Sequence, residues 1–313
     1  MTTKGAATGS NDPAAGIRFV GTVRTPPVDH GPIARLVLHG AAATADRRDL
    51  DASREMLVAA LRALRERELH VAILVSPAGF VDHKPGGTWS GRTGWETTQD
   101  DFNRLAAVAA STASQLISPE VLDLARGTVG HFVLGIDVWP TERREPHAEV
   151  ACLYDVATGI VRPVTGKSYP NTAQQDDLIR NPDTGTHVVR IAEERVAVLV
   201  CHDLAAWSPR GNAVAKGVRS VTWQGMQASV EAERPTLAVQ LPHTVDTAGT
   251  WRAAWSRFAE RSGGRLTSGT TAIRHLDRRY RPVLGSIDPK LLAQTGWGKR
   301  VVDVVVADER DVS

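Results

Sequence analysis

Residues 196–200, Val-Ala-Val-Leu-Val, form an unbroken apolar run that stops at Cys201 and gives way to the polar turn His202-Asp203. A short run with no polar alternation is the pattern of a strand buried on both faces. Such a strand needs covering layers above and below it, which confines the chain to layered folds with a deep sheet. A thiol at the C-terminal lip of that strand can point into a cleft backed by rigid structure. The turn after it supplies backbone N–H groups of the kind that can hold an oxyanion. The plainer alternative is that Cys201 is a small buried residue, as most free cysteines are.

Further apolar runs of strand length fall at 33–39, 71–75, 129–138, 150–154, 188–191, 236–241, 270–275 and 301–306. Helical periodicity lies between some of them. Residues 51–66 place Met56, Leu57, Leu61 and Leu64 on one face, with Ser53 or Asp51 as cap. Residues 102–117 form a second helix, Ser118-Pro119-Glu120 opens a third, and 250–260 form a fourth carrying Trp251, Trp255 and Phe258. The order β-α-β-α-β-β-β-β-β-α-β is an α/β pattern with consecutive strands in its middle. Asp155 to Gly159 reads as a hairpin turn. Residues 79–99, 171–187 and 205–230 show the least pattern and are expected to be loops that carry specificity.

Composition excludes several classes. A net charge of +2 over 313 residues leaves no basic footprint for nucleic acid, and the pairs Arg47-Arg48 and Arg278-Arg279 read as solvated surface. Two cysteines, Cys152 and Cys201, are too few for a disulfide framework, so a cytoplasmic setting is expected. Residues 1–16 are polar and small, read as a disordered leader ahead of one domain over 17–313. No apolar run approaches the roughly 20 residues that span a bilayer. The histidines at 131, 147, 187, 243 and 275 show no metal-ligand spacing and read as ordinary polar residues, so neither a metal nor a cofactor is expected.

Upstream of Cys201, the strand that begins at Glu149 and runs to Tyr154 turns at Asp155–Gly159 and continues to Lys167. A lysine just after a hairpin, some thirty residues before a strand-end Cys201-His202-Asp203, resembles the nitrilase, or carbon–nitrogen hydrolase, superfamily. The likeness covers roughly residues 33–306. It implies a four-layer α-β-β-α sandwich whose members associate through their outer helices as homodimers or larger homo-oligomers. It also implies a glutamate–lysine–cysteine site that attacks a small amide or nitrile through a thioester or thioimidate. In that scheme Cys201 is the nucleophile and Lys167 stabilises the developing negative charge. Physical chemistry suits these types: only the thiolate attacks well, and a free thiol with a pKa near ~8.5 needs a neighbour to activate it.

The resemblance breaks at one place. The family glutamate follows a proline at the end of the second strand, and here the pair is Pro77-Ala78. A methyl group takes no proton, and general-base assistance is worth about 10²–10⁴-fold. Substitute bases nearby are Asp82, His83 and Glu96 in the 79–99 segment. Two functional readings follow: a cysteine-dependent hydrolase or acyltransferase with an unusual base, or a fold that has lost hydrolysis and serves as a binding or regulatory protein. Trp207 and Trp139, just past strand ends, are expected to wall an apolar substrate pocket, with His202 beside them. Strand alternation would turn His202 away from the Cys201 thiol. Asp203 reads as a structural acceptor for turn amides, and Cys152 as inert core.

Overall fold

The structure, a computed structural model, describes residues 18–24, 33–44, 48–84, 86–141, 146–208, 216–243, 248–276, 281–283, 286–297 and 301–311. The expected leader at 1–16 and the pair Arg278-Arg279 lie outside the described residues. In chain order the first half contains β1 (Phe19–Arg24), β2 (Ile33–Leu38), α1 (Leu50–Glu66), β3 (Val71–Val75), β4 (Val81–His83), α2 (Gln99–Leu116), α3 (Pro119–Ala125), β5 (Val129–Val138), β6 (Ala148–Asp155) and β7 (Val161–Gly166). The second half contains β8 (Val188–Ile191), β9 (Glu194–Val200), α4 (Val218–Glu233), β10 (Leu237–Leu241), α5 (Ala248–Arg261), β11 (Ser268–Thr271), β12 (Ile273–Arg274), α6 (Pro289–Gln294), β13 (Gly296–Trp297) and β14 (Val301–Asp308).

Two sheets form. The first runs β1-β14-β2-β3-β5-β6-β7, with β12 beside β2 and β4 beside β5; the second runs β13-β11-β10-β9-β8. Side-chain alternation explains their stacking. Val196, Val198 and Val200 of β9 meet Ile73, Val75, Val133 and Ala151 of the first sheet in a core between the sheets. Ala197 and Leu199 point the other way, into a core shared with Trp255 and Phe258 of α5 and Met226 of α4. On the far side, α1, α2 and α3 cover the first sheet through Met56, Leu61, Phe102 and Leu105. The four layers are therefore α-β-β-α, as expected.

Local chemistry sets several boundaries. Asp49, not Asp51 or Ser53, caps α1 by accepting from the Ala52 amide at 2.8 Å. Ser53 is buried instead, donating to the Phe80 carbonyl at 2.6 Å. Thr98 and Asp101 form a reciprocal capping box that starts α2 ahead of the expected residue 102. The run 270–275 is not one strand: β11 belongs to the second sheet and β12 to the first, with the crossing at Ala272. The segment 205–230, expected as loop, contains most of α4. Its inward face mixes Thr222 and Gln227 with Met226 and Val230, which hides the helical period.

Among the described residues no single helix is long and apolar enough to cross a membrane; α2 and α3 together pass that test only as a pair bent by 78°.

Strands β2, β3, β12 and the first part of β5 run parallel in the first sheet, and β9, β10 and β11 in the second. Parallel strands collect their C-terminal ends on one edge, where open α/β sheets place ligands. Residues just past β3, β9 and β10, together with inward residues of β5 and β6, meet there.

Candidate active site

Cys201 is the first residue beyond β9 and opens a 3-10 turn, Cys201–Trp207. Its φ is +49°, a left-handed conformation that costs a non-glycine residue of order 1–3 kcal/mol. Several bonds hold it there. The Gln240 amide donates to the Cys201 carbonyl at 2.8 Å, and Gln240 in turn accepts from Thr271 at 2.7 Å. Asp203, fully buried, accepts from the amides of Val200 at 3.0 Å, Ser168 at 3.1 Å and Tyr169 at 2.8 Å. That one carboxylate thus pins the turn bearing the thiol to the segment that follows Lys167. The amides it takes up are committed to it.

Lys167 leaves β7 directly and is 1% exposed. Its Nζ donates to Glu149 Oε1 at 2.8 Å and to Gln174 Oε1 at 2.5 Å, and Gln174 Nε2 donates to the same Glu149 oxygen at 3.0 Å. Glu149 lies on β6, where alternation turns it inward with Ala151 and Leu153. Among the described residues its Oε2 has no hydrogen-bond partner, and it sits 3.5 Å from His243 Nδ1. One ligating atom from each of Glu149, Cys201 and His243 falls within 4.8 Å of the other two.

His243 stands two residues past β10. Its Nδ1 is 3.4 Å from Cys201 Sγ, and its Nε2 is 2.7 Å from Asp137 Oδ2. Asp137 is 1% exposed, on β5, and also accepts from Arg48 Nη2 at 2.5 Å. Gly79 makes that approach possible: at φ +54° it carries no Cβ, and a Cβ there would lie 1.5 Å from Arg48 Nη2. Arg48 is therefore not solvated surface; it bridges Asp137 and Asp82, the latter at 2.7 Å.

The charges sort themselves by mutual neutralisation. Burial and the Glu149 carboxylate raise the Cys201 pKa, but Lys167, His243 and the His202 hydrogen bond outweigh them and bring it down to about 5. Burial opposes the charge on Lys167, yet the Cys201 thiolate and Glu149 hold it above its ordinary value. Burial likewise opposes the His243 cation, and Asp137, Glu149 and Cys201 raise its pKa well above the usual imidazole value. Glu149 is driven the other way: burial would raise it, and Lys167 and His243 lower it well below the carboxylate range. At neutral pH the cluster is a thiolate and two carboxylates set against an ammonium, an imidazolium and a guanidinium.

No family model matches the chain, and no curated protein matches it. Among solved structures it is similar to an amidase from Nesterenkonia sp., at 14% identity, covering 79% of this chain and 77% of that one, with a TM-score of 0.43. It is also similar to a cysteine-to-alanine mutant of the Nesterenkonia AN1 amidase from the nitrilase superfamily, at 15% identity, 79% of each chain and a TM-score of 0.44. A further similar structure is a mutant of that amidase in complex with butyramide, at 14% identity, 78% and 77% coverage and a TM-score of 0.43. At these TM-scores the likeness transfers no residue's role to this chain.

The other expected site residues are distributed unevenly. Asp82 is near the cluster but behind it, paired with Arg48; burial and the Asp137 charge raise its pKa to about 6. His83 ends β4, and burial lowers its pKa. Glu96 is exposed on a 3-10 turn and, among the described residues, enters none of the contacts of Cys201, Lys167 or Glu149. Ala78 is buried in the inter-sheet core that also holds Cys201, and its amide donates to the Pro242 carbonyl at 3.2 Å.

Trp207 is fully buried on the helix side of the second sheet, edge-on to Phe258 at 4.9 Å, so it packs the outer core rather than a pocket at the thiol. Trp139 stacks on His147 at 4.4 Å, and His147 Nε2 lies 3.4 Å from Glu149 Oε1, which puts this ring one side chain away from the cluster. His202 is not turned away: its Nδ1 is 3.6 Å from Cys201 Sγ. The alternation rule fails because Cys201 has already left the strand. Glu149 and Asp137 were not singled out as site residues in the sequence, and His243, read there as an ordinary polar histidine, instead contacts the thiol. The available signal was a lone carboxylate inside each of two apolar strands, at 137 and 149.

Proposed function

We propose that the chain is a cysteine-dependent carbon–nitrogen hydrolase acting on a small amide or nitrile, with Cys201 as nucleophile, Lys167 as the stabiliser of the oxyanion and Glu149 as general base. The observation that carries this is the convergence of a lowered-pKa thiol, a buried ammonium and a buried carboxylate with one free oxygen between the two sheets. On this reading Glu149 supplies the carboxylate that position 78 lacks, delivered from β6 rather than from the end of β3.

The steps follow from the charges. The thiolate adds to the carbonyl carbon of an amide, and the electron pair moves onto oxygen. A fixed ammonium in a dry site stabilises that oxyanion far better than water would, because it needs no reorganisation. The oxyanion collapses, the C–N bond breaks as the nitrogen takes up one proton from the site and leaves as the amine, and a thioester remains on Cys201. Glu149 Oε2 then takes a proton from water as the oxygen attacks the thioester, and the thiolate departs. His243, whose side chain keeps 24% of its surface exposed while Lys167 and Glu149 keep none, marks the side from which substrate approaches.

The test is intact-mass spectrometry of the full chain after mixing with short aliphatic amides and nitriles. An acyl adduct confined to Cys201, absent in Cys201→Ser and accumulating in Glu149→Gln, is the expected result. Product release by Cys201→Ser at the wild-type rate would reject the nucleophile.

A further inference from the structure

On the other side of the thiol from Glu149 and Lys167 is an imidazole that the chemistry above leaves unused. Cys201 Sγ, His243 Nδ1, His243 Nε2 and Asp137 Oδ2 form one continuous chain of contacts, at 3.4 Å and 2.7 Å. We propose that His243, oriented by Asp137, is a catalytic acid of this site: it holds the thiolate before attack and protonates the leaving nitrogen as the C–N bond breaks. This role rests on the cysteine-dependent chemistry proposed above.

Three observations support it. First, the geometry is that of a nucleophile, a ring and an orienting carboxylate, with each ring nitrogen assigned a partner. Asp137 is itself anchored by Arg48 at 2.5 Å, so the ring cannot swing freely. Second, neither Lys167 nor Glu149 can give up a proton near neutrality. Lys167 is held charged by Cys201 and Glu149, and its ammonium donates to Glu149 and Gln174 as well as bonding the thiolate. Glu149 is held ionised. Third, the His243 side chain is partly open, at 24% exposure, where a leaving amine would depart.

The groups facing His243 are Asp137 on β5, Glu149 on β6 and Cys201 beyond β9. Lys167 lies behind Glu149, Arg48 and Asp82 lie behind Asp137, Arg274 couples to both of those aspartates, and His202 shares the thiol. His202 is the rival acid, but its ring meets Trp251 edge-on at 6.2 Å, and among the described residues no carboxylate contacts it.

The protons balance. The thiolate adds to the amide carbon, the C–N bond breaks, and the imidazolium Nδ1–H passes to nitrogen, leaving thioester, free amine and neutral His243. Water then loses one proton to Glu149 as it attacks, and the thioester collapses to acid and thiolate. The Glu149 proton moves to His243 across their 3.5 Å separation, and both groups return to their starting forms.

The experiment compares the full-length wild type with His243→Asn and Asp137→Asn, with His243→Gln in reserve should circular dichroism show that the Asn variant unfolds. Iodoacetamide labelling of Cys201 between about pH 4 and 9 reads the thiolate, and acylation by acetamide and by 4-nitrophenyl acetate, followed by intact mass, reads the leaving group. His243→Asn is expected to move the labelling midpoint up by about one pH unit or more. It should slow acetamide acylation by about 100-fold or more relative to 4-nitrophenyl acetate, whose phenolate departs without a proton. Asp137→Asn should shift both in the same direction by less. An unchanged midpoint, or equal slowing with both reagents, would overturn the role of His243. If wild-type Cys201 accepts no acyl group from either reagent, the hydrolase proposal fails instead, and the labelling midpoint alone decides whether His243 holds the thiolate.

Discussion

Lys167 and Glu149 are joined twice. The Lys167 amide donates to the Glu149 carbonyl at 3.0 Å, and the Lys167 ammonium donates to the Glu149 carboxylate at 2.8 Å. Backbone register and ion pair thus fix each other, so the free Oε2 keeps one direction. Replacing Glu149 by Gln preserves the shape and removes the base. Turnover is expected to fall about 10²–10⁴-fold. Because Glu149 raises the Cys201 pKa, the same change should leave iodoacetamide labelling as fast or faster at low pH. Parallel loss of labelling and turnover would contradict this division of roles.

Removing the cation tests the opposite sign. In Lys167→Met the thiolate loses an attractive partner, so the Cys201 pKa should climb from about 5. Glu149 loses the nearer of its two buried cations and keeps only His243, so the variant is destabilised by up to about 3–5 kcal/mol in denaturant unfolding. Adding Glu149→Gln to that variant should recover part of the stability and, because Glu149 raises the Cys201 pKa, bring the labelling midpoint part of the way back down.

The two thiols are opposites. Cys152 is fully buried on β6 in an apolar layer, and burial alone drives its pKa far up. Cys201 sits among cations, at about 5. A lowered thiol pKa means the reactive thiolate is present above that pH and disappears below it. Native-state labelling of Cys201 should therefore be flat near neutrality and drop as pH falls through 5, while Cys152 stays unlabelled until the protein unfolds. Comparable rates at the two positions would show that the site is not poised.

The left-handed backbone at Cys201 gives a stability prediction free of the chemistry. Cys201→Gly and Cys201→Ala both lack the thiol and both break its contacts with His243 and His202. They differ in the Cβ, which the φ of +49° penalises. The glycine variant should be more stable than the alanine variant by about 1 kcal/mol in urea unfolding. Equal stability would mean that the turn relaxes when the thiol is absent.

Asp203 holds the site's backbone together through three amides. Asp203→Ala leaves the amides of Val200, Ser168 and Tyr169 without their acceptor in a fully buried place. At about 1–3 kcal/mol for each stranded donor, the loss is several kcal/mol, seen as a large fall in Tm. At temperatures where the variant stays folded, Cys201 labelling should slow, because the Lys167 segment and the thiol turn are no longer held together.

Some of this was legible in the sequence and some was not, and the dividing line is physical. Local periodicity marked β3, β5 and β8 at their observed bounds and the apolar body of β9, because burial on both faces imposes a pattern over a few adjacent residues. It failed for α4, whose packed face is half polar, and for 270–275, where a single apolar run serves two sheets. The strand-end position of Cys201 and the post-hairpin position of Lys167 could also be read, since each depends only on its own neighbours. The partners of the thiol could not. Glu149, Asp137 and His243 lie on three different strands or strand ends, 52, 64 and 42 residues from Cys201 by subtraction of their numbers. What gathers them is the stacking of two sheets with their inward faces in contact, a relation between distant segments that leaves no periodic trace in any one of them. The sequence by itself determined which residues could be buried in strands and where a thiol and an ammonium would emerge from them. Only the tertiary structure decided which carboxylate and which imidazole would face that thiol, because a charge becomes a partner by proximity in a low-dielectric space, and that proximity is made by packing.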